Sequence, residues 1–310
     1  YTDPDEPRPL PPMDIDPPTI AMSFVPNDSP FAGREGQFVT SRHLEERLHR
    51  ETMSDVALQV APLVDSMGFR VAGRGELHLS ILIEKMRREG YEFQVTRPQV
   101  IFKEAADGSR LEPFEELTID VDENFVGPVM EKLGQRKGRV QTMDTGNGMA
   151  RLVYLIPTRG LLGYRSEFMT DTRGLGVMNY VFAGYEPYAG DIRFRIRGAM
   201  VSMLECQSVA YALFNLQERG HLFLGPGVNV YAGQIVGEHC REGDLVVNPA
   251  KGKKLTNMRA SGSDENVILT PPINMSLEDC ISYINEDELV EITPQNIRLR
   301  KKTLRKWGNG

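Results

Sequence analysis

Three cysteines in 310 residues, Cys206, Cys240 and Cys280, stand far apart. So sparse and odd a set argues against a disulfide framework and a four-cysteine zinc site, and it points to a reducing compartment, the cytoplasm. No apolar run approaches the ~20 residues of a membrane helix, and no secretory or transit segment opens the chain. The phosphate-loop motif is missing: Gly252-Lys253 is followed by Lys254, not by a hydroxyl residue. Neither a G-x-S-x-G elbow nor an H-E-x-x-H helix occurs. Of the five histidines, His43 and His49 are six apart on one helix, poor spacing for a shared metal, and His239 and Cys240 are adjacent and face apart on a strand. No catalytic residue and no metal ligand is assigned. DVDENFVGPVME resembles a calcium loop in Asp120, Asp122, Asn124 and Glu131, but Phe125 stands where the turn glycine belongs.

Charge is present in blocks. The net charge of −7 disfavours bulk binding to nucleic acid. Locally, residues 132–173 hold eight cations against three acids, residues 245–263 hold four cations and no acid, residues 261–291 hold eight acids and no base, and residues 292–310 hold six cations and no acid. Such blocks suit recognition of a polyanion in patches. KGKK opens a long aperiodic stretch, where Lys251, Lys253, Lys254 and Arg259 could meet phosphates and Asn257 a base or sugar. RLRKKTLRKW adds Arg298, Arg300, Lys301 and Lys302, with Trp307 as a stacking platform.

Periodicity divides the chain. Residues 1–18 carry seven prolines and read as an extended connector, which implies that something precedes it. From Thr19 the order is strand, helix (about Thr40 to Thr52, capped by Ser41), two strands, helix (Glu76 to Glu89, burying Leu77, Ile81, Leu82 and Met86), strand. The order recurs from ELTIDV: a helix from Gly127 to Lys137, a hairpin around TGNG, a helix ended by Gly174, and a strand. Arg-Gly-x-Leu precedes the second helix both times, at Arg74 and at Arg159. The fold class is α+β: two tandem ferredoxin-like β-α-β-β-α-β units, residues 19–105 and 106–190, then a β-rich domain, residues 191–310, with the long basic loop. Each ferredoxin-like sheet should leave one face open to a partner.

SPFAGREGQFVTSRHLEERL and GRGELHLSILIEKMRREGYEFQVTRPQVIFKE resemble the third domain of elongation-factor-G-like translational GTPases. PFEELTIDV, GPVMEKLGQRKG and PTRGLLGYRSEFMTDTRGLG resemble their fifth domain. AYALFNLQERGHLFLGPG, YAGQIVGEH, NPAKGKKLTNMRASGSDE and NEDELVEITPQNIRLRK resemble the C-terminal domain of the TypA/BipA family. The resemblance covers essentially residues 19–306, whereas that to the paralogous LepA stops near residue 190. It implies the C-terminal part of a ribosome-associated GTPase whose GTPase domain, with its GTP and Mg, lies outside this chain, so that this chain is not an enzyme. It implies a cytoplasmic monomer with the large-subunit rRNA of the stalk-base region and tRNA as partners, no membrane, and links to stress, cold adaptation and large-subunit assembly. On that reading Arg136, Lys137, Arg139, Arg159, Arg165 and Arg173 form the RNA face of the second unit. The rivals are a protein–protein scaffold without RNA and an enzyme with a metal or nucleophilic site in the C-terminal domain.

Overall fold

The computed structural model describes residues 17–192, 195–252, 268–304 and 307. The first unit runs β1 (Ile20–Pro26), α1 (Ser41–Ser54), β2 (Gln59–Pro62), β3 (Phe69–Gly73), α2 (Glu76–Arg88) and β4 (Phe93–Thr96), followed by the short β5 (Gln99–Val100) and β6 (Lys103–Glu104). Its four main strands lie in the antiparallel order β4-β1-β3-β2. Thr40, not Ser41, caps α1: its hydroxyl accepts from the His43 amide at 3.3 Å. On α2 the buried row is Leu79, Leu82, Ile83 and Met86, whereas Leu77 and Ile81 are each 48% exposed. Two overlapping i, i+4 rows run along that helix, and packing on β1 and β3 selects the other one.

The second unit runs β7 (Arg110–Asp122), a 3-10 turn (Glu123–Phe125), α3 (Val126–Gln135), β8 (Arg139–Gly146), β9 (Met149–Pro157), α4 (Thr158–Leu161), α5 (Tyr164–Asp171) and β10 (Val177–Pro187). Its sheet order, β10-β7-β9-β8, is the first unit's order strand for strand. The β8–β9 hairpin closes through Asn147 and Gly148, both at positive φ (55° and 79°), as a two-residue turn of this hand needs. Leu117, Ile119, Val121, Leu152, Tyr154 and Ile156 alternate toward the helices and meet Val129, Leu133, Tyr164 and Phe168.

The last part runs β11 (Arg197–Ser202), β12 (Cys206–Gln207), α6 (Ala210–Leu216), β13 (Gly220–Leu222), β14 (Asn229–Val230), β15 (Gln234–Glu242), β16 (Leu245–Val247), α7 (Leu277–Tyr283), β17 (Glu288–Ile292) and β18 (Ile297–Lys301). Ser276 and Asp279 form the capping box of α7, each side chain serving the other's backbone amide. This part does not stand apart. β17 pairs antiparallel with β4, Val290 opposite Val95 and Ile292 opposite Phe93, so one sheet runs β16-β11-β15-β18-β17-β4-β1-β3-β2. A single apolar core follows it from Leu44 and Leu48 of α1 to Ile281 of α7 and Leu299 of β18.

Behind that seam lies a buried polar network. Asn27 donates to Glu92 at 2.7 Å and to Glu291 at 3.0 Å, and Glu291 also accepts from Ser29 at 2.8 Å and from the Tyr231 hydroxyl at 2.6 Å. Neither glutamate is exposed to solvent, and each is satisfied by several donors, which is the condition for burying a carboxylate.

Candidate nucleic-acid interface

The cations singled out in the sequence divide into an internal and an external set. Arg159 is buried: its guanidinium forms a two-pronged pair with Glu112, whose side chain is wholly buried. Arg136 donates to the carbonyls of Gly160 (2.8 Å) and Leu162 (3.0 Å) and to Glu167 (2.8 Å), tying α3 to the α4–α5 corner. Arg298 pairs with Glu35 and Glu291, Arg300 with Asp28, and Lys301 with Asp244, Asp287 and Glu288. Arg300 and Lys301 are 1% and 3% exposed. Arg159, Arg300 and Lys301 are corrected from RNA contacts to structural ion pairs, because a buried cation already satisfied by carboxylates has nothing left to offer a phosphate. Arg136 and Arg298, half-buried, are likewise corrected, because their guanidiniums are taken up by internal acceptors. Part of the acidic block (Glu286, Asp287, Glu288 and Glu291) and part of the basic block (Arg298, Arg300, Lys301 and Lys302) lie on the β17–β18 hairpin and its flanks, where the two strands face each other. Trp307 is likewise not a free platform, since it packs, partly buried, on the core beside Gly233.

Lys137, Arg139, Arg165, Arg173, Lys251 and Lys302 are exposed. Arg139 is paired with Glu186. Lys253, Lys254, Asn257 and Arg259 lie outside the described residues. The described residues on either side of them are anchored: Val209 N donates to Pro249 O at 2.9 Å, and the Gln217 side chain bridges Ile268 O and Thr270 N.

Two of the external cations have an unusual backbone. α3 ends with Gly138 N donating to Leu133 O (2.8 Å) and Lys137 N to Gly134 O (3.0 Å). α5 ends with Gly174 N donating to Met169 O (2.8 Å) and Arg173 N to Thr170 O (3.2 Å). Both are Schellman closures, whose left-handed residue is usually glycine. Here it is Lys137 (φ 66°) and Arg173 (φ 52°). A side chain there costs about 1 kcal/mol, so each position carries a cation where the backbone alone would favour none. Sequence reasoning marked both residues by charge but missed this signal, although the glycine that follows each one hints at a helix end.

The two carboxylates of the calcium-like stretch have other work. Asp122 caps the 3-10 turn through the Asn124 amide at 2.9 Å, and Asp120 holds Arg151 at 2.7 and 2.9 Å. The Arg151 hydrogen bonds keep the Asp120 carboxyl below its ordinary range, against a small opposing effect of burial. Among the described residues no three metal-ligating side chains converge, and no helix is long and apolar enough to cross a membrane.

Residues 109–196 match the elongation factor G C-terminus family, which makes the second unit a domain of the elongation-factor-G C-terminal type. Residues 197–306 match the TypA/BipA C-terminal domain. Proteins named "Large ribosomal subunit assembly factor BipA" are 53% identical over 97% of this chain in Salmonella typhimurium, 53% over 95% in Escherichia coli K12, and 50% over 97% in Bacillus subtilis. The chain spans about half the length of these curated relatives: 50% in the first and third, 49% in the second. The chain belongs to the TypA/BipA family.

Proposed function

We propose that this chain is the ribosome-engaging half of a large-subunit assembly factor. On this reading it binds large-subunit rRNA around the stalk base and reaches the acceptor arm of tRNA, as a cytoplasmic monomer. GTP hydrolysis, with its Mg ion, falls to the other half of the whole protein. The observation that carries the reading is the shared name of relatives at 50–53% identity across nearly the whole chain. The exposed cations Lys137, Arg165 and Arg173 around the helices of the second unit, and Lys251, support it; the sequence adds Lys253, Lys254 and Arg259, with Asn257 among them.

The test is co-pelleting with purified large subunits at low and high salt. Each cation that neutralises a phosphate releases condensed counterions, so affinity should fall with salt. With alanine at Lys251, Lys253, Lys254 and Arg259, loss of three phosphate contacts should flatten the log–log slope by about two units. Unchanged affinity of that variant at low salt would refute the loop's role. Salt-independent binding of the parent chain would favour a scaffold that uses apolar faces and no RNA.

A further inference from the structure

Among the described residues, helices cover one face only of the second unit's sheet. On the other, strand register sets Val181 beside Glu116 and Leu155, and Val177 beside Asp120 and Arg151. Asp144 of β8 adjoins Arg151 in the same row. Val177 is 54% and Val181 62% exposed, and Met149, at the hairpin end of this face, is 47% exposed. The face's two cations are compensated: Arg151 is clamped by Asp120, and Arg139 pairs with Glu186. Among the described residues, Glu116 and Asp144 form no ion pair.

A sheet that reads single-stranded RNA offers aromatic rings and free cations. This face offers aliphatic side chains and surplus carboxylates. We propose that it docks a lysine- or arginine-rich protein segment bearing an apolar stripe. The valines along β10 take the stripe, and Glu116 and Asp144 take the flanking cations. Charge complementarity selects the partner: a carboxylate-rimmed apolar face repels a phosphate backbone and attracts a basic amphipathic one. The two sides of this unit then serve different partners, with its helix-layer cations turned to RNA and its open sheet to protein.

The probe is a fluorescein-labelled amphipathic helix built of leucine and lysine, titrated against the full chain by anisotropy, with poly(U) as the RNA arm. The parent chain should bind the peptide. Glu116→Lys with Asp144→Lys should weaken it about tenfold, equivalent to about 1.4 kcal/mol. Val177→Ser with Val181→Ser, which leaves the charge intact, should also weaken it several-fold. Glu45→Lys with Glu242→Lys, an equal charge change at exposed sites elsewhere, should leave it almost unaltered. Melting temperatures should match the parent in all three variants. Equal losses in the control pair would reduce the effect to net charge and overturn the proposal, as would absence of peptide binding. Competition between poly(U) and peptide that the Glu116/Asp144 variant abolishes would place RNA on this face and overturn it too. A dimer in sedimentation that the valine variant dissolves would make the occupant a second copy instead.

Discussion

Ser282 Oγ lies 2.8 Å from Glu76 Oε1 and 2.7 Å from the Glu278 carbonyl oxygen. The Ser282 hydroxyl donates toward both oxygens, so the Glu76 carboxyl and the Glu278 carbonyl share its one hydrogen. Burial pushes the Glu76 carboxyl above its ordinary value, aided by nearby Glu278 and opposed by the Ser282 and Gly163 hydrogen bonds. Its other oxygen accepts from the Gly163 amide at 3.1 Å. This one side chain therefore joins α2 of the first unit to the α4–α5 corner of the second and to α7 of the last.

The sign of the pH effect follows. The folded chain gives up this proton at a higher pH than the unfolded chain, whose carboxyl has the ordinary value of 4.5. Stability contributed at Glu76 is therefore greatest in acid and declines as pH rises. Glu76→Gln removes the titration, so its stability relative to the parent should improve from pH 4.5 to pH 7.5. Urea midpoints of both proteins at the two pH values check this, and a pH-independent difference would show that Glu76 is ionised when folded.

Replacing Lys137 and Arg173 with glycine should raise stability by up to about 1 kcal/mol each, since left-handed backbone suits glycine. The same changes should weaken binding to large subunits and reduce its salt slope by about one unit or more. Gain of stability with loss of affinity separates a binding role from a helix-capping one. Unchanged affinity would leave these cations as complements to the helix dipole.

Arg159→Ala should cost about 3–5 kcal/mol, because it strands the buried Glu112 carboxylate. Chemical denaturation measures the loss. Glu112 also accepts from the Ala189 amide at 2.7 Å, so the strand end after β10 should loosen with it. A near-neutral result would restore Arg159 to the list of surface cations.

Ile292→Ala, at a fully buried seam position between Phe93 and Ile297, should cost about 2–5 kcal/mol. Probes in the first unit and in the C-terminal part should report the same midpoint, because one core serves both. Two separated transitions would contradict that.

Much of this was legible in the sequence. The repeat and the TGNG turn depend on neighbours within a few residues, where local rules hold. Leu77 and Ile81 were misplaced because periodicity defines rows on a helix but not which row faces inward. The buried cations misled for another reason. Arg300 finds Asp28 across 272 residues and Arg298 finds Glu35 across 263, and no local pattern announces such pairs. Charge blocks looked like surfaces for a polyanion when part of each was half of an internal match. The β4–β17 seam was equally invisible, since an edge strand carries no mark of the partner that will cover it.

That seam has a mechanical consequence. A displacement delivered to the far edge at β16 travels rung by rung along hydrogen-bonded strands to β2, with no linker to absorb it. The first and last parts should therefore tilt together like the two arms of a rigid beam. A cut made at residue 197, where the family models change over, would snap the beam and leave β4 with a bare, sticky rim.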